Sequence, residues 1–266
     1  MTHFSRIAAA VAALLASSGT GRAADMIDVP IYSPTPEVQT MAAGGWYLRG
    51  DIGMSNQQLH GSLDNALYDS PDTTFTTLDE GHFSSAPTFQ LGVGYQANEW
   101  FRADVTAQYR GKADFNALDS YVYDNGVDAV ETGSNDYDAK KSEWLFMANA
   151  YVDLGTFGGI TPYVGAGIGA SRNTISGFRD VNVPEGSVAY GDTNSQWELA
   201  WALHTGLAFQ VNDRVTLDLG YSYLHLGDAS SGDLVTYDGT NTINNPMKFN
   251  DITSHDVKFG LRYKFN

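Results

Sequence analysis

Eight stretches of this chain alternate apolar and polar residues with a period of two, and one face common to all eight carries no Asp, Glu, Lys or Arg. The segment WFRADVTAQYR at 100–110 shows the pattern. Phe101, Ala103, Val105, Ala107 and Tyr109 fall on one side, and Arg102, Asp104, Thr106, Gln108 and Arg110 on the other, because successive side chains of a strand point to opposite faces. The same reading covers 46–54, 88–95, 101–110, 144–154, 162–171, 197–210, 215–224 and 257–265. The opposite face collects Arg49, Asp51, Arg102, Asp104, Arg110, Asp153, Glu198, Asp218, Lys258, Arg262 and Lys264, six basic groups against five acidic ones. A chain built this way folds as an all-β protein whose two sheet faces meet very different media.

The medium follows from length and spacing. Each segment is close to the ~9 to 11 residues that a tilted strand needs to cross a bilayer. The connections alternate: 96–100, 155–161 and 211–214 are short, whereas 55–87, 111–143, 172–196 and 225–256 are long and rich in Gly, Asp, Asn, Ser and Thr. Short turns at one end and long loops at the other make an antiparallel up-and-down transmembrane β-barrel of eight strands, with both termini on the short-turn side. A lipid-facing Arg or Lys at the midplane costs roughly 2 to 4 kcal/mol, so the uncharged face is the outer one and the charges point into the lumen. An open sheet edge in hydrocarbon leaves unpaired N–H and C=O groups, so the first strand must pair with the eighth.

A soluble lipocalin-type barrel would alternate in the same way with inside and outside exchanged. Against it, aromatic residues gather at both ends of the apolar face. Trp46, Tyr95, Phe101, Phe209, Tyr263 and Phe265 lie at the short-turn end, and Tyr109, Trp144, Trp197, Tyr221 and Tyr223 at the long-loop end, as interfacial girdles do. The interior of eight strands has room only for side chains. The lumen-side Gly92, Gly94, Gly165, Gly167, Gly169, Gly206, Gly220 and Gly260 suit that crowding.

The N-terminal 1–24, MTHFSRIAAAVAALLASSGTGRAA, has Arg6, an apolar run over 7–16 and small residues before a cut near Ala23 or Ala24. It reads as a secretory signal, its apolar run being too short to span a bilayer. Residues 25–44 carry Pro30, Pro34 and Pro36 and read as an extended spacer, leaving 45–266 as the barrel. The chain has no cysteine, which excludes disulfides and thiolate metal sites. A formal net charge of -16 argues against nucleic acid as a partner.

The signal ending AAD, the proline-containing spacer, GGWYLRGDIGMS, WFRADVTAQYRGKADF, TPYVGAGIGASR and the closing HDVKFGLRYKFN together resemble the small outer-membrane proteins and opacity-type surface antigens of alphaproteobacteria, with an OmpA-type eight-stranded barrel. The resemblance implies location in the cell outer membrane, contact with outer-membrane lipid and lipopolysaccharide, and delivery by the barrel-assembly machinery through the C-terminal strand. Members of that family usually end in an aromatic residue; here Asn266 follows Phe265.

Motifs that suggest chemistry are weak. GAGIGA at 165–170 fits a dinucleotide-binding spacing, but no amphipathic helix follows it. The lumen charges form either a mutually paired plug or the lining of a small or gated porin-like channel, and buried charge demands partners. The first long loop holds Asp64, Asp69, Asp72, Asp79 and Glu80, and the second Asp114, Asp119, Asp124, Asp128, Glu131, Asp136 and Asp138; these are solvated acids or weak sites for a divalent cation. Tyr121, Tyr123, Val127 and Val130 interleave the second loop, as either a recognition surface or packing between loops. His204 shares the lumen face with Glu198, His225 and His255 flank the last long loop near Ser254, and His60, His82 and the loop tyrosines are candidate haem ligands. No catalytic or metal-binding motif is complete, and no cofactor is called for. The reading is a non-enzymatic envelope protein whose loops meet an extracellular ligand, the alternatives being the channel and a loop-borne adhesin or haem binder.

Overall fold

In the computed structural model, residues 44–65, 70–183, 186–239 and 244–265 are described. The signal at 1–24, the spacer up to 43, Asp69 and Asn266 lie outside them. Twelve strands follow in chain order: β1 (Gly45–Leu59), β2 (Leu63–Asp64), β3 (Thr73–Phe83), β4 (Ala86–Gln96), β5 (Phe101–Tyr123), β6 (Glu131–Asp153), β7 (Ile160–Asn182), β8 (Ser187–Gly191), β9 (Asn194–Gln210), β10 (Val215–Ser230), β11 (Leu234–Thr236) and β12 (Lys248–Lys264). None of the described residues is helical.

Eight of these strands close a ring. β1 pairs with β4, and the antiparallel order runs on through β5, β6, β7, β9 and β10 to β12. β12 then returns to β1 with Ile52 opposite Phe259 and Asp51 opposite Gly260. The first and last barrel strands are thus joined, as lipid requires of any sheet within it. The short turns are made locally. Asn98 Oδ1 accepts from the backbone N–H groups of Trp100 (3.0 Å) and Phe101 (2.7 Å) between β4 and β5, and Asn212 Oδ1 accepts from Arg214 and Val215 (2.9 Å each) between β9 and β10. An asparagine side chain that mimics a backbone turn needs no tertiary help.

The long connections differ from the sequence reading. Regions 111–143 and 172–196, taken as loops, are mostly strand: β5, β6 and β7 each run 23 residues. At about 3.3 Å per residue such a strand extends roughly 75 Å, well beyond the roughly 25 Å apolar band of an outer-membrane barrel. Above the ring, β3 takes over from β4 beside β5, β8 takes over from β9 beside β7, β11 adds to β8, and β2 pairs with β12.

Within the ring the outer face is apolar and exposed: Leu91 is 73% exposed, Leu199 65% and Ile52 60%. Beyond it the pattern inverts. In β5, inward Arg102, Asp104, Thr106, Gln108 and Arg110 give way at Gly111 to inward Ala113, Phe115 and Ala117, while Lys112, Asp114 and Asn116 turn outward. A register shift between Arg110 and Ala113 marks the extra residue. Related irregularities sit at Gly227 in β10 (φ +73°), Gly177 in β7 (φ +61°) and Asp251 in β12 (φ +56°). One inserted residue reverses the facing of every later side chain. The reversal assembles an apolar interior around Phe83, Phe115, Phe178 and Phe249, with ring centroids of Phe83 and Phe115 4.9 Å apart and those of Phe115 and Phe249 5.0 Å apart.

Candidate functional site

The lumen of the ring is filled by paired charge. Six cations, Arg49, Arg102, Arg110, Lys141, Lys258 and Arg262, and six carboxylates, Asp51, Asp104, Glu143, Asp153, Asp218 and Asp256, are all buried there. At the short-turn end Arg262 grips Asp218 with two bonds, Nε to Oδ2 at 2.7 Å and Nη2 to Oδ1 at 3.1 Å. Arg102 donates to Asp153 at 3.1 Å and lies over the Tyr151 and Tyr163 rings at 4.1 and 4.6 Å. Arg49 joins Asp51 (2.8 Å) to Asp104 (2.9 Å) and also donates to the Tyr151 hydroxyl at 3.0 Å.

Higher up, Lys258 lies 3.9 Å from Asp256. Arg110 binds both oxygens of Asp256 at 2.5 and 3.0 Å, donates to Ser254 at 2.6 Å, and pairs with Glu143, which also holds Lys141. Gln57 accepts from Lys141 at 2.9 Å, and Gln90 donates to Asp51 at 2.9 Å. The cavity within this ladder is ≈20 Å³, enough for about one ordered water. The glycines between the charges make the room: a Cβ at Gly94 would strike Tyr47, one at Gly165 Tyr151, one at Gly206 Tyr163 and one at Gly260 Asp51.

Nine of the eleven lumen charges read from the sequence are in this ladder. The other two are at its margins. Lys264 is half-buried at the short-turn mouth beside Arg262 and Tyr47. Glu198 is half-buried near the Gly227 bulge and accepts from Gln196 at 3.0 Å. Sequence reasoning missed Lys141, Glu143 and Asp256. All three continue the inward parity of their strands, one to three residues beyond the apolar segments used to bound them, so extending the alternation would have found them.

The aromatic residues read as girdles, Trp46, Tyr95, Phe101, Tyr109, Trp144, Trp197, Tyr221, Tyr223, Tyr263 and Phe265, are all exposed or half-buried. They pair along the rims: Trp46 with Tyr95 at 5.3 Å and Tyr263 with Phe265 at 5.6 Å at the short-turn end, and Tyr109 with Trp144 at 5.2 Å at the other.

The chemical motifs are dispersed. GAGIGA lies wholly inside β7, with no helix to receive a phosphate. His204 is locked in the lumen, bonded to Ser222 (2.8 Å) and Asn149 (3.1 Å) rather than to Glu198. Ser254 is buried against Arg110 and Asp256, whereas His225 is on the outer surface with Asp251 at 3.0 Å and His255 bonds Tyr221 at 2.6 Å. A serine inside and histidines outside make no nucleophile–base pair. His60 bonds Thr253 at 2.9 Å and His82 is exposed in β3 opposite Asn116. Among the described residues no group of three or more His, Cys, Asp or Glu side chains is placed to hold a metal.

The long-hairpin end carries further acidic groups. Asp114 pairs with Lys140 and Asp138 with Arg179, each at 2.5 Å, and Asp64 lies 3.6 Å from Lys248. At the β5–β6 tip Asp124 and Asn125 cap the turn, leaving Val127 86% exposed. Tyr121 and Tyr123 turn inward and line a cavity of ≈480 Å³, and a second of ≈440 Å³ shares Phe75 and Tyr137 with it.

A family model described as outer membrane protein beta-barrel domain matches residues 10–265. An uncharacterized protein of Brucella suis biovar 1 is 33% identical over 285 residues, covering 97% of this chain and 98% of its own. A Rickettsia akari protein, provisionally named an adhesin, is 26% identical over 223 residues, covering 82% of this chain and 87% of its own. Among solved structures, that of Neisserial surface protein A has 16% identity and a TM-score of 0.46, covering 84% of this chain and 100% of that one.

Proposed function

Because the chain belongs to the outer membrane protein beta-barrel domain family and resides in the cell outer membrane, we propose that its lumen is a sealed wall and that its work is non-enzymatic, done by the hairpins beyond the membrane. Outer-membrane barrels carry their short turns on the periplasmic side, which places the long extension outside the cell. The balanced ladder of buried charge supports the sealed lumen most directly. Six cations meet six carboxylates in a space with a cavity of only ≈20 Å³, and an ion moving through would have to break pairs whose desolvation is already offset. The apolar layer of Phe83, Phe115, Phe178 and Phe249 lies above it as a second seal.

The extension is then the part that meets ligands. Its outward strands and tip carry acids and exposed Val127 and Val130, a surface suited to contact with other molecules, in keeping with the name of the Rickettsia relative. Arg172, exposed and in register with Trp144 and Trp197, sits at the upper girdle where lipopolysaccharide phosphates lie. We further assign 1–24 to an export signal, 25–44 to a spacer and 45–266 to the barrel, with outward Tyr263 and Phe265 offered to the barrel-assembly machinery.

The test is planar-bilayer recording on the refolded chain 25–266, with insertion verified independently. A silent bilayer is expected. Discrete conductance steps whose selectivity changes in Arg102→Gln would make the protein a channel and overturn this reading.

A further inference from the structure

The ≈480 Å³ cavity outside the membrane differs from the lumen in one chemical respect. In the ladder each carboxylate has a cation within reach; here Glu131 and Asp180 share the walls with the rings of Phe75, Tyr121, Tyr123 and Tyr137, and no described lining residue is Lys, Arg or His. The rings form a connected wall, Phe75 and Tyr121 having centroids 6.2 Å apart. Its size is that of a pocket for a small molecule or a single inserted side chain.

Asp180 is the group left over. Its Oδ1 is shielded from solvent and has no hydrogen-bond partner. The neighbouring carboxylate on β5, Asp119, differs: it is buried but accepts from Asn135 Nδ2 at 2.9 Å and from the Tyr137 hydroxyl at 2.8 Å. Burial, and after it the charges of Asp119 on β5 and Asp136 on β6, push the Asp180 carboxyl up to about 7. A carboxylate with one shielded oxygen lacking a donor is costly to ionise, and a cation held at the side of Asp180 that lines the cavity offsets that cost. Aromatic faces add attraction for an organic cation, and no set of ligands for a metal ion is present among the described residues.

We propose that this cavity binds an organic cation, a primary amine or guanidinium, with its charge at Asp180 and its alkyl stem against Phe75, Tyr121 and Tyr137. The ligand is either a free amine or a Lys or Arg side chain presented by another protein. The proposal rests on reading the extension as the binding part of the molecule.

Calorimetric titration of the refolded chain 25–266 in detergent at pH 8, with 1,4-diaminobutane and separately with an acetylated Lys-Lys peptide amide, tests it. Saturable binding is expected, weakened at least about tenfold in Asp180→Asn, the scale of one lost charge-assisted hydrogen bond. Tighter binding of the diamine identifies a free amine, and tighter binding of the peptide identifies a protein side chain; both uphold the site. The unmodified chain gives a second readout: binding at pH 6.5 releases a proton, so the heat varies with the ionisation enthalpy of the buffer. No binding of either amine, unchanged affinity in Asp180→Asn, absence of proton release, or equal competition by calcium overturns the proposal. A calorimetric blank with a silent bilayer removes the amine site alone; conductance steps remove the sealed-barrel reading.

Discussion

Arg110 on β5 holds both carboxylate oxygens of Asp256 on β12, at 2.5 and 3.0 Å, although β4 and β1 lie between the two strands in the ring. The same guanidinium meets Glu143 on β6. One side chain therefore ties together strands on either side of it across the lumen. All three residues are essentially inaccessible to solvent.

Removing this cation leaves Glu143 with Lys141 alone and Asp256 with only the more distant Lys258, 3.9 Å away. Arg110→Ala should destabilise the barrel by about 3–5 kcal/mol, the usual cost of breaking a buried pair from one side. Urea unfolding in lipid vesicles measures it. The quadruple change Arg110→Met, Lys141→Met, Glu143→Gln, Asp256→Leu should recover most of the loss, because it removes Lys141 together with its partner Glu143 and leaves four cations facing four carboxylates in the lumen.

The apolar belt and the extension should respond oppositely to charge. Leu91→Arg places a cation among exposed apolar residues in the middle of β4 and should cost roughly 2–4 kcal/mol. Thr76→Arg, exposed on β3, should stay within about 0.5 kcal/mol. Equal effects of the two would remove the membrane boundary drawn between them.

The reversal of facing should depend on its bulges. Gly227 has φ +73° and a Cβ there would meet Glu198, whereas Gly177 at φ +61° has open space around it. Gly177→Ala should therefore cost only the backbone term, about 1–2 kcal/mol, and Gly227→Ala more. Proteolysis of the extension with an intact membrane-embedded core is the readout.

Asp180 gives the extension a pH dependence of definite sign. Its folded value of about 7 stands above the roughly 3.9 of an unfolded Asp, so between these limits the native state binds the extra proton. Stability should fall as pH rises from about 4 to about 7 and level off above. Asp180→Asn should flatten this slope and stabilise the extension at pH 8, by an amount on the order of a few kcal/mol at most. Hydrogen exchange of β7 amides at pH 5 and pH 8 resolves it, and a slope unchanged in the variant would exclude Asp180 as its source.

What the sequence determined by itself was the barrel: the number of strands in the ring, its closure, and which side chains of each ring strand point inward or outward. Those features depend on a period of two, which each strand expresses locally, and on a cost of charge in lipid that applies at every position. Nine of the lumen charges, from Arg49 to Arg262, were legible for that reason. The tertiary structure decided the rest. Nothing in GKADF announces that Gly111 begins a reversal, because a bulge is a single inserted residue whose effect depends on the partner strand. Hence Phe115 and its neighbours form a core where loops were expected. Nor does local pattern place Asp256 at Arg110, or Asp180 beside Tyr121. Those pairs are far apart in the chain, and only closure of the ring and the length of its hairpins brings them within reach.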